Sequence, residues 1–155
     1  MNINIICIGK IKEKYILDGI QEFSKRLQAF GKLKVFELKE DGNDSNRNIS
    51  IEKESKAILE TLEKNKGFKI LLDISGKNFS SEEMANHIEK IAVNGDSTIN
   101  FIIGGSYGVS DEIRKISDLR LSFSKMTFPH QLMRLILIEQ IYRWFSIIKN
   151  TKYHK

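Results

Sequence analysis

The chain has one cysteine, one proline and one tryptophan in 155 residues. The lone Cys7 has no partner for an internal disulfide or a thiolate metal site. It sits in the apolar run Ile3–Ile8, where a buried strand thiol is the expected state. No H-E-x-x-H pattern and no Cys/His cluster occurs, and no Ser, His and Asp fall in a recognisable arrangement. Hydrolytic and metal chemistry therefore lack support, and no metal is expected. The phosphate-loop pattern G-x-x-x-x-G-K-[ST] is missing, as is the G-x-G-x-x-G of dinucleotide binding. Long uninterrupted apolar runs are missing too. The longest stretch, Leu132–Ile148, is broken by Arg134, Glu139, Gln140 and Arg143, which argues against a membrane span. The opening Met-Asn-Ile-Asn-Ile-Ile-Cys lacks the basic region and long apolar core of a signal peptide, so a cytoplasmic location is expected.

What is present is an ordinary globular composition, 41% hydrophobic and 29% charged, over a length that suits one domain spanning residues 1–155. Charge is unevenly placed. From Leu121 onward there are six basic residues and one acid, which carries the whole net charge of +5, while residues 1–120 hold 19 of each sign. A neutral body with a basic, aromatic end points to a face that meets a polyanion.

Apolar periodicity alternates between strand and helix. Strands are predicted at Ile3–Ile8, Leu33–Leu38, Phe68–Ile74, Thr98–Ile103 and Leu119–Phe123. Helices are predicted at Lys14–Phe30, Ser50–Lys66, Ser81 to about Val93, a short one after Ser110, and Gln131–Ile148. Ser80 and Glu83 fit a capping box. Glu40–Asn48 reads as a polar loop. This alternation predicts an α/β fold, a mostly parallel sheet with helices on both faces. The last helix is apolar all round, whereas a surface helix shows one stripe. Two readings account for that: a homodimer interface, or a central core helix.

Two segments could carry chemistry. Gly104-Gly105-x-x-Gly108 follows a strand and precedes a helix, the place where open α/β sheets bind ligands. A plain tight turn explains it equally. Ser122–His130 contains Pro129, which fixes its own φ and extends Phe128, so it ends a loop and starts a helix. The backbone of Phe123–Phe128 is available to a planar heterocycle, or is simply a rigid connection. His87 reads as a surface residue. His130 could cap the last helix or act in a site. Glu139 and Arg143, spaced i and i+4, should pair. Tyr153-His154-Lys155 is able to stack on a base and hold a phosphate, or is a frayed end.

Three stretches together resemble one family: Ile102-Ile103-Gly104-Gly105-Ser106-Tyr107-Gly108, then Leu121 to Arg134 (LSFSKMTFPHQLMR), then Glu139-Gln140-Ile141-Tyr142-Arg143. Ile8-Gly9-Lys10, Leu72-Asp73-x-x-Gly76-Lys77 and the ending Tyr153-His154-Lys155 agree with it. The sequence is similar to the RlmH family, the large-subunit ribosomal RNA pseudouridine N3-methyltransferases of the SPOUT superfamily. The resemblance implies a C-terminal trefoil knot, a homodimer and S-adenosyl-L-methionine as cofactor. It implies methylation of N3 of a pseudouridine in helix 69 of 23S rRNA, on assembled ribosomes. Carried over by motif, cofactor contacts fall on Leu72, Gly104, Phe123, Ser124, Lys125, Met126, Thr127 and Phe128. RNA contacts fall on Arg134, Lys152, Tyr153 and Lys155. His154, His130 and Arg143 are the catalytic candidates, and one protomer's tail is expected to reach its partner's cofactor pocket. Tyr107 departs from the small polar or acidic residue usual there. The competing readings are a non-catalytic ribosome- or RNA-binding module and a SPOUT enzyme acting on tRNA.

Overall fold

A computed structural model describes residues 1–42 and 45–155. Its elements alternate as the periodicity requires: β1 (Asn2–Ile8), α1 (Lys14–Leu27), β2 (Lys32–Leu38), α2 (Arg47–Lys64), β3 (Phe68–Lys77), α3 (Ser81–Val93), β4 (Thr98–Ile103), α4 (Asp111–Ile116), β5 (Leu119–Leu121) and α5 (His130–Ile148). The strands form one sheet in the order β2-β1-β4-β3-β5, with every pairing parallel. Parallel strands need crossovers, and the helices supply them on both faces.

Side-chain alternation sends each strand's residues to two cores. Ile3, Ile5, Cys7, Ile70, Ile99 and Phe101 face α1, α3 and α5. Ile6, Ile8, Leu71 and Ile102 face the smaller layer of α2 and α4, through Ile58, Leu62 and Ile113. Cys7 is fully buried, and burial pushes its thiol up to about 11. In the strand interior, Asn4 Nδ2 donates to Asn100 Oδ1 at 2.8 Å, and Asn100 Nδ2 donates to the Asn65 carbonyl at 2.8 Å. This chain satisfies two buried amides inside the sheet.

Helix starts follow local chemistry. The Ser80–Glu83 capping box forms in full, Ser80 Oγ accepting from Glu83 N at 3.1 Å and Glu83 Oε2 accepting from Ser80 N at 2.7 Å. Ser110 caps α4. Helix α2 starts three residues earlier than its apolar pattern suggests, because the Asn46 side chain accepts from Ile49 N. Part of the expected loop at 40–48 is therefore helix, and Asn43 and Asp44 lie outside the described residues. Strand β3 runs past Ile74 because Lys77 returns to Leu121, the residue already paired with Leu72; residues 73–76 bulge out between them. Gly76 allows that return, since a Cβ there would lie 2.6 Å from the Arg120 carbonyl oxygen.

Helix α5 packs between α1 and α3, burying Leu137, Ile138, Ile141, Trp144 and Phe145. Leu132, Met133, Leu135, Ile136, Tyr142, Ile147 and Ile148 stay half-buried. The helix is thus a core element of its own chain that keeps apolar surface partly uncovered. Close α1–α5 approach depends on Gly19, where a Cβ would come 2.9 Å from Leu135 Cδ1.

Candidate active site

The carboxyl ends of β3, β4 and β5 open into a cavity of about 430 Å³. Volumes of ~300–1,000 Å³ are usual for small-molecule sites. Leu72 and Asp73 form one wall, Gly104 and Gly105 a second. The 121–128 segment and the first turn of α5 (His130, Met133) close the rest. This is where a doubly covered parallel sheet leaves strand ends free of helix packing.

The glycine turn is both a tight turn and a cavity wall. Gly108 N donates to the Gly105 carbonyl at 3.0 Å, with Gly108 at φ +89°. A Cβ on Gly104 would lie 2.7 Å from Val109 Cγ1, and one on Gly105 would overlap the Glu54 carboxylate. Glu54 is buried beneath the turn and accepts from Asp41 N at 3.1 Å. Burial raises its pKa, and neighbouring Glu40 and Asp41 add to that rise against the Asp41 hydrogen bond. Ser55 Oγ takes the Ser110 N–H at 2.9 Å, so α2 braces the turn from below.

After β5, Ser122 N donates to the Lys77 carbonyl at 2.9 Å and Asn78 Nδ2 to the Ser122 carbonyl at 2.9 Å. Ser122 Oγ donates to the Ser124 carbonyl, and Ser124 Oγ accepts from Met126 N, both at 3.0 Å. Phe123 stacks on Trp144, centroids 6.5 Å apart. The segment is anchored at its start and exposed at its tip, where Met126 is 74% accessible. Seven of the eight cofactor-contact positions named from the sequence, Leu72, Gly104, Phe123, Ser124, Met126, Thr127 and Phe128, line the cavity; Lys125 is exposed and does not. His130 lines it as well, at the first residue of α5.

Sequence reasoning missed a charged cluster on the β3 wall. Asp73 accepts from Arg120 Nε at 2.9 Å, pairs with Arg120 Nη2 at 2.8 Å and lies 3.6 Å from Arg114 Nε. Burial raises the Asp73 pKa, but the Ser75 N–H and the two arginines outweigh it and hold the carboxyl below its usual range. Arg114 itself lines the cavity and is oriented by the Val109 carbonyl at 2.8 Å. Asp73 belongs to the Leu72-Asp73-x-x-Gly76-Lys77 motif; nothing in the spacing ties it to α4 and β5.

Arg143, Tyr153 and His154 come together elsewhere. Arg143 pairs with Glu139 at 2.6 Å, as the i, i+4 spacing predicts, and lies 4.9 Å over the Tyr153 ring. His154 Nδ1 is 3.3 Å from Arg143 Nη1, and its Nε2 is 2.8 Å from Glu82 Oε1. Tyr153 Oη donates to Glu139 at 3.0 Å. Burial, then that carboxylate, raises the Tyr153 pKa. The end of the chain is thus docked on α5 and α3 rather than frayed. None of these three residues lines the cavity of its own chain. Lys152 and Lys155 are exposed.

Two expectations need correction. Arg134 was expected on RNA phosphates, but it is 1% exposed. Its Nη1 pairs with Glu37 at 2.7 Å, and its Nη2 donates to the Gly9 carbonyl at 3.0 Å and the Ile8 carbonyl at 3.4 Å. The apolar sequence around it buries that face of α5; both Nη atoms find partners inside, while the buried Nε has none among the described residues. His87 is half-buried against Phe68 and Phe79 instead of lying on the surface. Its burial lowers its pKa, with Lys90 and Lys77 adding to the effect. Among the described residues, no helix is long and apolar enough to cross a membrane and no group of three or more His, Cys, Asp or Glu could hold a metal.

A parallel sheet with a ligand-sized cavity at its carboxyl edge and a glycine turn in the wall agrees with the family match: residues 1–154 fit the family described as predicted SPOUT methyltransferase. In fold, the chain is similar to a probable methylase family protein from Haemophilus influenzae Rd KW20, with a TM-score of 0.56 at 12% identity over 99% of this chain and 70% of that one. It is 59% identical, over the full length of both, to the ribosomal RNA large subunit methyltransferase H of Fusobacterium nucleatum subsp. nucleatum. It is 50% identical to the protein of the same name from Clostridioides difficile, again over all of both chains. The chain belongs to the ribosomal RNA large subunit methyltransferase H family within the SPOUT methyltransferases.

Proposed function

We infer that this protein uses S-adenosyl-L-methionine to methylate N3 of a pseudouridine in helix 69 of 23S rRNA, in the assembled ribosome. The carrying observation is the cavity lined by seven of the eight motif positions, in a chain whose close relatives are named ribosomal RNA large subunit methyltransferases. Its residues fit the cofactor. Leu72, Leu121, Phe123 and Phe128 give apolar walls for a planar base, the 122–128 backbone gives polar groups beside them, and Gly104 leaves room that a Cβ would take. When bound, the cofactor supplies a methyl group on a sulfonium, the electrophile of the transfer.

The protein's own work is positioning, holding the base so that N3 faces the methyl donor. The N3 proton must leave, to solvent or to a side chain, and His130 on the wall and His154 in the tail are the side-chain candidates. In this reading Arg143, Tyr153 and His154, which do not line their own chain's cavity, serve that of a partner protomer in a homodimer, as the family resemblance implies. The half-buried apolar side chains of α5 supply that interface. A single domain over 1–155, a knotted C-terminal part and a cytoplasmic location accompany this reading.

Ribosomes from a strain lacking the activity, incubated with the protein and methyl-labelled cofactor, should acquire label at the helix 69 pseudouridine. Label on tRNA instead, or tight ribosome binding without transfer, would favour the tRNA enzyme or the non-catalytic module. Mixing a tail-truncated chain with a Gly104→Ala chain tests the shared site. Heterodimers that recover no activity count against it.

A further inference from the structure

This inference rests on the reading that the substrate is a structured RNA. With Arg134 buried and Arg143 held by Glu139, two of the six cations from Leu121 onward are engaged within the fold. Lys149, Lys152 and Lys155 are exposed but do not line this chain's cavity, so a polyanion laid over the cavity needs charges nearer its mouth.

The β1–α1 connection offers them. Lys10 and Lys12 are exposed, and neither makes an ion pair among the described residues, whereas Lys14 is held by Asp18 at 2.6 Å. The connection is fixed to the helix that borders the cavity. Lys12 N donates to Gln131 Oε1 at 2.9 Å, and the Gly9 carbonyl accepts from Arg134 at 3.0 Å. Both anchors lie within five residues of His130, which lines the cavity. Gly9, at φ +84°, turns the chain out of β1 toward them. In the 122–129 loop, Lys125 is likewise exposed and makes no ion pair among the described residues. The start of α5 therefore connects two lysine-bearing loops. The acids nearby set a limit: Glu37 is engaged by Arg134, Glu13 is exposed beside Lys12, and the Glu40 carboxylate approaches Gly9 from the end of β2. An RNA backbone is repelled on the β2 side and admitted on the α5 side.

We propose that Lys10 and Lys12, with Lys125, form a phosphate-binding rim that seats the rRNA backbone over the cavity, and that Gln131 and Arg134 position it. Such contacts release counterions, so affinity falls with salt by a slope of roughly 0.7–0.9 per phosphate. Losing two contacts should flatten the wild-type salt dependence by roughly tenfold between about 50 and 200 mM salt.

The test compares wild type, Lys10→Ala/Lys12→Ala and Lys10→Arg/Lys12→Arg with a control of equal charge, Lys32→Ala/Lys34→Ala, toward the opposite end of the sheet. Each is assayed for ribosome methylation, binding to a helix 69 RNA hairpin across a salt series, and S-adenosyl-L-methionine binding. The alanine pair should raise KM for ribosomes and flatten the salt dependence, with kcat at saturating ribosomes and cofactor binding retained. The arginine pair and the control should match wild type. An active wild type with an unaffected alanine pair, or with an equal loss in the control, overturns the rim and leaves the enzyme reading standing. A wild type inert on ribosomes overturns both.

Discussion

Replacing either partner of the Arg134–Glu37 pair tests whether that arginine is structural. The two ends of the pair are unequal: the Arg134 side chain is 2% exposed and that of Glu37 38%. Removing Glu37 leaves a guanidinium buried with two carbonyl acceptors and no counter-charge. Breaking a buried pair in this way costs about 3–5 kcal/mol. Water can enter the half-open Glu37 site, so Glu37→Ala should fall near the lower end, about 3 kcal/mol. Arg134→Met is milder. Glu37 turns to solvent, and the chief loss is the donor to the Gly9 carbonyl, about 1–2 kcal/mol. The double variant removes the stranded charge and should be more stable than Glu37→Ala alone. Urea denaturation at fixed protein concentration reads the differences, and Tm should drop by about 6–12 °C for Glu37→Ala. Additive losses in the double variant would refute the buried-charge argument. So would an Arg134→Met protein of wild-type stability with weakened RNA binding, which would return Arg134 to the RNA surface.

Gly104→Ala places a Cβ 2.7 Å from Val109 Cγ1 and inside the cavity wall, so cofactor affinity measured by calorimetry should fall at least tenfold while the fold survives. Glu54→Gln tests the raised carboxyl under the glycine turn. A carboxyl with a raised folded pKa binds its proton more tightly when folded, so the destabilisation that Glu54 alone contributes should shrink as pH falls from neutrality through that pKa. Glu54→Gln should therefore raise Tm at pH 7 and lose its advantage near pH 4; an equal effect at both pH values would discount the burial cost. Deleting residues 150–155 removes the Tyr153–Glu139 and His154–Glu82 contacts and should abolish rRNA methylation, leaving cofactor binding and dimer formation largely intact by calorimetry and light scattering.

The strands and helices were readable because their signals are local. Ile3–Ile8, broken only by Asn4, and Phe68–Ile74, broken by Lys69 and Asp73, are largely apolar runs, and Ser80 and Glu83 sit at capping-box spacing. The cavity lining was readable for a different reason: the motif resemblance marked those positions, with the glycines and the single proline among them. Arg134 misled because the sequence shows a charge, while its fate depends on whether α1, β1 and β2 cover it. The Asp73–Arg114–Arg120 cluster was hidden because β3, α4 and β5 contribute one residue each.

By itself, then, the amino-acid order determined the α/β alternation, the buried Cys7 and the helix caps at Ser80 and Ser110. Those follow from periodicity, burial preference and backbone freedom within a few residues. Only tertiary structure decided the strand order β2-β1-β4-β3-β5, the docking of Tyr153 and His154 on α5 and α3, and the division of basic residues into buried, paired and free. Each of these is fixed by contacts between residues distant in sequence, where the cost of desolvating a charge is met or left unmet by a partner from another element.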